Sequence, residues 1–175
     1  MAKKTEKKTK RKGGGKLNRT HMVTIRLDPK LRYFTDLAAR TQRRTTSGFI
    51  EWAIEKSLSE IILNDLDGAL TNLVDETEIL WDIDEPDRFV KLALNFPYLL
   101  TYDEQVMWKL IGENGYLWKG TFEKDVDRIW TWNISQRNLI IDKLREHWDT
   151  FKDVADGKID ASELPQWEKD DPIPF

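Results

Sequence analysis

The chain contains no cysteine and only two histidines, His21 and His147. Disulfides and thiolate metal sites are therefore excluded, and two imidazoles argue against a multi-histidine metal centre within one chain. No apolar run approaches the roughly 18 residues that a membrane-spanning helix needs, and the charged N-terminus lacks the apolar core of a signal peptide. These absences predict a cytoplasmic protein that uses no cofactor and binds no metal.

The acidic side chains suggest two kinds of functional site, a calcium-binding loop and a set of catalytic carboxylates. Residues 156–164 (DGKIDASEL) match the second half of a calcium-binding loop, but Lys152 and Val154 stand where the first ligands belong and cannot coordinate calcium. The remaining carboxylates are spread over several predicted helices, with neither a paired histidine nor a nucleophile motif. We therefore predict no metal ligands and no catalytic residues, and we expect that the protein is not an enzyme.

Charge divides the chain into a basic front and an acidic rear. Residues 1–63 hold 16 basic and 6 acidic side chains, a net charge of +10, whereas the remaining 12 basic and 25 acidic side chains give −13. The front half is suited to a polyanion such as the DNA backbone, and the rear half to a different partner.

The first 19 residues contain nine lysines and arginines and almost nothing apolar. Such a segment predicts a disordered basic arm, with Gly13, Gly14 and Gly15 as a flexible hinge. Its alternative role is that of a solubilising tail. Beside a DNA-binding domain, the cations expected to contact phosphates are Lys3, Lys4, Lys7, Lys8, Lys10, Arg11, Lys12 and Lys16.

Residues 22–28 (MVTIRLD) alternate like a half-buried strand. One set, Val23, Ile25 and Leu27, is apolar and is expected to face helices. The opposite set is suited to base edges, since Arg26 can fork onto guanine, Thr24 can donate or accept, and Met22 can contact a thymine methyl.

Two amphipathic helices are predicted after the strand. Asp28 is a good N-cap and Pro29 fits the first helical position, and the first helix carries a stripe of Leu31, Phe34, Leu37 and Ala38. The second helix is predicted to begin between Thr45 and Ser47 and to continue well past residue 58. Its stripe comprises Ile50, Ala53, Ile54, Ser57, Leu58, Ile61 and Ile62.

One short strand and two helices cannot bury their own apolar faces, so two copies are expected to pair their strands and interlock their helices. The paired strands form a two-stranded ribbon of a size that fits the major groove of DNA. The predicted dimer core comprises Val23, Ile25, Leu27, Phe34, Leu37, Ile50, Ala53 and Ile54.

The runs VTIRLDP, LAAR and TTSGFIEWAI, within residues 21–62, resemble the ribbon-helix-helix (Arc/MetJ-type) superfamily of dimeric DNA-binding proteins. The resemblance implies base contacts by Met22, Thr24 and Arg26. It also implies backbone contacts at the start of the second helix, by Thr45, Thr46 and Ser47 with Arg43 and Arg44 beside them. Arg43 stands where the family often has glycine, so either Arg43 is left-handed or the corner has another shape.

The resemblance implies a homodimer that binds double-stranded DNA as a transcriptional regulator, most simply a repressor that blocks polymerase. Two alternatives stay open. One is an accessory DNA-binding protein of plasmid segregation or conjugative transfer, and the other is an antitoxin whose rear half binds a toxin.

Residues 65–175 hold seven of the eight tryptophans and predict a small, acidic, all-helical domain after the disordered arm (1–19) and the ribbon-helix-helix domain (20–64). One helix is expected to begin around Pro86 and end near Phe96, and a second to begin at a capping box of Thr101 and Glu104. A third, from Asn133 and Gln136 to a stop at Gly157, is expected to carry an apolar stripe. Trp130 and Trp132 are assigned to the core rather than to base stacking. A protein partner is the expectation for this domain.

Overall fold

The structure, a computed structural model, describes residues 22–64, 68–122 and 130–167, so the predicted basic arm lies outside the described residues. The fold is mainly helical, as predicted. The helices are α1 (Pro29–Thr41), α2 (Thr46–Leu58), α3 (Thr77–Leu80), α4 (Glu85–Asn95), α5 (Tyr102–Glu113) and α6 (Ile141–Ala155). The strands are β1 (Ile62–Asn64), β2 (Leu70–Asn72), β3 (Gly120–Phe122) and β4 (Trp130–Trp132), and 3₁₀ turns occupy Pro97–Leu99, Gly115–Leu117 and Ala161–Glu163.

The chain divides into two compact units, Met1–Ile50 and Glu51–Phe175, and the boundary falls within α2. In the described part of the chain, no helix has the length and apolar character that crossing a bilayer requires.

Helix α1 begins where the sequence predicts it. The Asp28 carboxylate accepts from the backbone N–H groups of Lys30 and Leu31, both at 3.0 Å, and Pro29 occupies the first helical position. These contacts satisfy two of the N–H groups that every helix start leaves without an intrahelical partner. The N-cap prediction for Asp28 is confirmed.

Three helices of the second unit, α4, α5 and α6, enclose its core. Phe89 of α4 lies 5.4 Å from the Trp148 ring of α6, and Ile111 of α5 is fully buried with Phe151 of α6. The Trp118 ring is also fully buried, and its indole N–H donates to the Ile111 carbonyl at 2.8 Å, so no polar atom of this side chain is stranded.

Ion pairs reinforce the packing of α6 on α4 from outside. Arg145 contacts both carboxylate oxygens of Asp87, at 2.8 and 2.9 Å, and Lys152 lies 3.0 Å from Glu85. The Asp87 carboxylate raises the pKa of Arg145, so the guanidinium stays charged at all ordinary pH values.

Two antiparallel hairpins, β1–β2 and β3–β4, belong to the second unit. Leu63 is buried in the middle of β1, and the Asn64 N–H donates to the Tyr98 hydroxyl at 3.0 Å. In the second hairpin, a Cβ placed on Gly120 would lie 2.3 Å from the Thr131 carbonyl oxygen, so glycine is the residue that permits this close approach of the strands.

Several helix predictions for the second unit are confirmed. Helix α4 has Pro86 in its first turn and ends at Asn95, and Thr101 and Glu104 form both halves of a capping box on α5. Helix α6 buries Leu144, Trp148 and Phe151.

Three predictions are wrong. The C-terminal region is not all-helical, because it contains both hairpins. Helix α2 ends at Leu58 instead of continuing past it, and Ile62 lies in β1, where the β-branched side chain suits an extended backbone. Helix α6 begins at Ile141, because Asn133 and Gln136 form no capping box and residues 136–138 are a turn.

Candidate nucleic-acid interface

The segment that carries the predicted base-contacting side chains, residues 22–28, is neither helical nor paired in a sheet within the described chain. Met22 is 96% exposed, and Thr24 and Arg26 are exposed as well. The opposite side of the segment is also open, since Val23 is 78% exposed and Ile25 51%. On the apolar side only Leu27 is half-buried, so one chain leaves most of both faces of this segment open, and the two-chain ribbon stays a prediction.

The predicted dimer-core residues of the helices are only partly covered by their own chain. Leu37, Ile50 and Ala53 are half-buried, whereas Phe34 is 53% exposed and Ile54 56%. The residues of α1 that are buried are Thr35 and Ala39. Helices α1 and α2 thus present aromatic and aliphatic side chains that a folded protein normally covers.

The corner between α1 and α2 is closed by a Schellman motif. The Arg43 N–H donates to the Arg40 carbonyl at 3.0 Å, and the Arg44 N–H donates to the Ala39 carbonyl at 2.9 Å. Arg43 has φ +53°, which makes it left-handed. Of the two alternatives predicted for this position, the structure has a left-handed Arg43, at an energetic cost that glycine would avoid.

The three hydroxyl residues at the start of α2 differ in what they can offer a phosphate. The Thr45 hydroxyl oxygen caps the helix by accepting from the Gly48 N–H at 3.1 Å. The Thr46 hydroxyl is half-buried and donates to the Asp36 carboxylate of α1 at 2.8 Å, so this side chain ties the two helices together. The Ser47 side chain is exposed and makes no hydrogen bond to any described residue.

Positive charge collects around this corner. Arg40 lies in the last turn of α1, and Arg43 and Arg44 follow it, all three exposed. Cations are favourable at a helix C-terminus because they complement the partial negative charge of the terminal carbonyls. The start of α2, with its N–H groups directed outward, carries the opposite partial charge and suits an anion. The positive charge of the corner therefore suits a phosphate group. The one nearby carboxylate named above, Asp36, weakens this attraction, but it is hydrogen-bonded to Thr46.

Metal-ligand chemistry has no candidate in the described ranges, where no three histidine, aspartate or glutamate side chains come together in a way that could hold an ion. The predicted contacts of Lys3 to Lys16 lie outside the described residues. One polar cleft that the sequence did not indicate lies beside the β3–β4 hairpin, lined by Lys119, Thr121, Thr131, Asn133 and Arg137 among others.

Comparison with known proteins identified no family model, no curated protein and no solved structure that matches this chain.

Proposed function

We propose that the protein is a homodimeric, sequence-specific DNA-binding regulator that blocks transcription by occupying its site. The observation that carries the proposal is the exposure of Val23, Ile25, Phe34 and Ile54. These are the residues that a ribbon-helix-helix dimer buries, and they lie exposed in a single chain. A second copy covers them by pairing the two segments 22–28 and by packing its helices against the first pair.

Pairing of the two segments gives the exposed side chains of Met22, Thr24 and Arg26 a common surface. A two-stranded ribbon of this kind enters the major groove, where guanine offers two acceptors to one guanidinium. The corner supports the same orientation, because its arginines and the capped start of α2 would meet phosphates on the groove wall. The basic arms add contacts that hold flanking phosphates without reading sequence.

The test begins with selection of a binding site from random duplex DNA, followed by footprinting of the selected site. Light scattering on the free protein at micromolar concentration should give the mass of a dimer. Arg26→Ala should weaken specific binding by about 1–3 kcal/mol, the range for one bidentate base contact. Non-specific binding should change far less.

The matched control is Arg32→Ala, which removes the same charge from an exposed position on α1. It should lower affinity for the selected and for random DNA alike, and only slightly. A folded monomer in light scattering would contradict the dimer. Equal protection of the selected site by the Arg26→Ala variant and the unaltered protein would contradict the assignment of the reading face.

A further inference from the structure

Residues 164–167 (LPQW), which we call the strap, are neither helical nor paired in a sheet. Leu164 has φ −65° and ψ 143°, close to the polyproline II values of about −75° and 145°. The ring of Pro165 holds its own φ near the same value. The strap therefore begins in the conformation that proline-rich peptide ligands adopt.

The strap lies against a set of half-buried residues that we call the aromatic groove. The groove consists of Asn114, Gly115, Tyr116, Trp130 and Trp132. Trp130 and Trp132 are alternate residues of β4, so they project from the same side of the strand. A Cβ placed on Gly115 would lie 3.2 Å from Cδ1 of Trp130 and 2.9 Å from Cζ3 of Trp132, so both rings pack directly against this glycine.

Two hydrogen bonds join the strap to the groove. The Asn114 side-chain amide donates to the Pro165 carbonyl at 3.0 Å, and the Trp167 indole N–H donates to the Gly115 carbonyl at 3.2 Å. A polyproline II backbone makes no hydrogen bonds of its own, so its carbonyls are open to a donor such as Asn114. Aromatic-lined grooves are the surfaces on which peptides of this conformation dock.

The Trp167 ring anchors the end of the strap. Its centroid lies 5.0 Å from that of Tyr116 and 6.4 Å from that of Trp130. The Lys143 ammonium lies 3.6 Å from the ring centroids of both Trp167 and Tyr116. Ring packing and cation–π attraction therefore act on the same side chain.

The strap is attached to the surface of the second unit and is not part of its buried core. Leu164, Pro165 and Trp167 are only half-buried, and Gln166 is exposed. Among the residues that the structure describes, no backbone-to-backbone hydrogen bond involves residues 165–167. A cleft of about 420 Å³ is lined by the strap and the groove together. The attachment therefore rests on side-chain contacts beside an open space, as it does for a bound peptide.

We propose that the aromatic groove recognises an extended segment of a partner protein, in which proline is followed two positions later by tryptophan. The strap is the intramolecular occupant of this site, and its contacts define the chemistry that the site accepts. A partner segment displaces the strap and takes over the bonds to Asn114 and Gly115. Because the strap is tethered, it competes from an effective concentration of about millimolar, which restricts the site to partners that bind well. The inference goes beyond DNA binding and does not depend on it.

The experiment measures fluorescence anisotropy of a labelled peptide of residues 160–167 (DASELPQW), capped at both ends, with full-length protein. The Trp167→Ala protein should bind this peptide at least about tenfold more tightly than the unaltered protein, because its own strap no longer competes effectively. A peptide with Pro165→Ala loses preorganisation, and one with Trp167→Ala loses the indole contacts. Each should bind the Trp167→Ala protein at least about threefold more weakly than the original peptide.

The matched control is Trp81→Ala, which removes the same side chain from a position that is 66% exposed and is not part of the groove. Its affinity for the peptide should equal that of the unaltered protein. A second release variant, Pro165→Ala in the full-length chain, keeps Trp167 and should also bind the peptide more tightly than the unaltered protein. A second peptide retains Leu164, Pro165 and Trp167, with glycine and serine at the other positions. It should bind the Trp167→Ala protein within about threefold of the original peptide, because these residues make the contacts.

Three results would overturn the proposal. The first is equal affinity of the unaltered, Trp167→Ala and Trp81→Ala proteins for the peptide, since removing the anchor would then expose no site. The second is binding of the original peptide without binding of the glycine–serine peptide, which would assign the groove to the strap of a second copy of this chain. The third is loss of the folded state in both Trp167→Ala and Pro165→Ala, measured by circular dichroism melting, because the strap would then be a part of the fold. If only one of these two variants is unfolded, the other gives the peptide affinity that decides.

Discussion

Replacing Arg43 by glycine should stabilise the first unit. A left-handed residue with a Cβ costs about 1–2 kcal/mol, and Arg43 has φ +53°. Glycine removes that cost but loses about 0.5–1 kcal/mol through its greater freedom in the unfolded chain. The two backbone hydrogen bonds of the Schellman motif do not involve the side chain and remain. The net gain in the free energy of unfolding should therefore be about 0.5–1 kcal/mol.

Urea denaturation followed by circular dichroism, at a fixed chain concentration because a dimer's stability depends on it, measures the effect. Two matched variants separate conformation from charge. Arg43→Ala removes the same guanidinium but keeps a Cβ, so it should unfold at nearly the same urea concentration as the unaltered protein. Gly157→Ala places a Cβ at the corresponding left-handed position after α6, where φ is +70°, and should destabilise by about 1 kcal/mol.

An Arg43→Gly variant no more stable than Arg43→Ala would contradict this prediction, because the left-handed conformation would then cost the chain nothing. The prediction also fails if Gly157→Ala unfolds together with the unaltered protein. If both stability results hold and Arg43→Gly also binds DNA more weakly, the arginine is retained at the corner for its charge, at the expense of stability.

Two further predictions concern charge. Deleting residues 2–16 removes eight lysines and arginines per chain and should weaken binding to all DNA sequences. The salt dependence of binding should become shallower, because each neutralised phosphate contributes about −0.9 to the slope of log K against log salt. An unchanged slope would indicate that the arm only makes the protein more soluble. The hydrogen bond from Lys91 lowers the pKa of Asp82, so this carboxylate stabilises the fold above its unfolded pKa of about 3.9 and loses that effect as pH falls through the lower folded value. Asp82→Asn should therefore be less stable than the unaltered protein at pH 6, and the difference should shrink as pH falls below about 3.9. A pH-independent difference in unfolding free energy would contradict this.

The starts of α1 and α5 were predictable because their signals are local, whereas the start predicted for α6 at Asn133 was wrong. Asp28 with Pro29, and Thr101 with Glu104, satisfy backbone groups within three residues of themselves, so the sequence contains the whole interaction. The stripe of α6 was predictable for a similar reason, since its repeat extends over four turns.

The hairpins could not be predicted in the same way. Each strand has only three residues, which is too short for an alternating pattern to be distinguished from a helix turn. Their stability depends on contacts between distant segments, such as the bond from Asn64 to Tyr98. The apolar residues after α2 were therefore predicted to continue the helix, although Leu63 lies in strand β1 and is buried there.

The candidate sites show the same division. Met22 and Arg26 are exposed, but so are Val23 and Ile25, so exposure in a single chain does not distinguish the two faces that alternation predicted. The commitment of the Thr46 hydroxyl to Asp36 depends on how α1 and α2 are placed, which no local pattern contains. Lys119 and Arg137 are separated in sequence and line the same cleft because Trp118 pairs with Leu139.

Gly120 makes mutational tolerance along the β3–β4 hairpin uneven. The positions on either side of it, Lys119 and Thr121, have exposed side chains and can change chemistry without moving the backbone. At Gly120 a single methyl group would press on the Thr131 carbonyl and on the Trp130 ring, forcing the strands apart. The exposed side chains of this hairpin can therefore vary, whereas the close approach of its strands depends on the missing Cβ of Gly120. Related chains that keep this hairpin should keep glycine here, even where Lys119 and Thr121 are replaced.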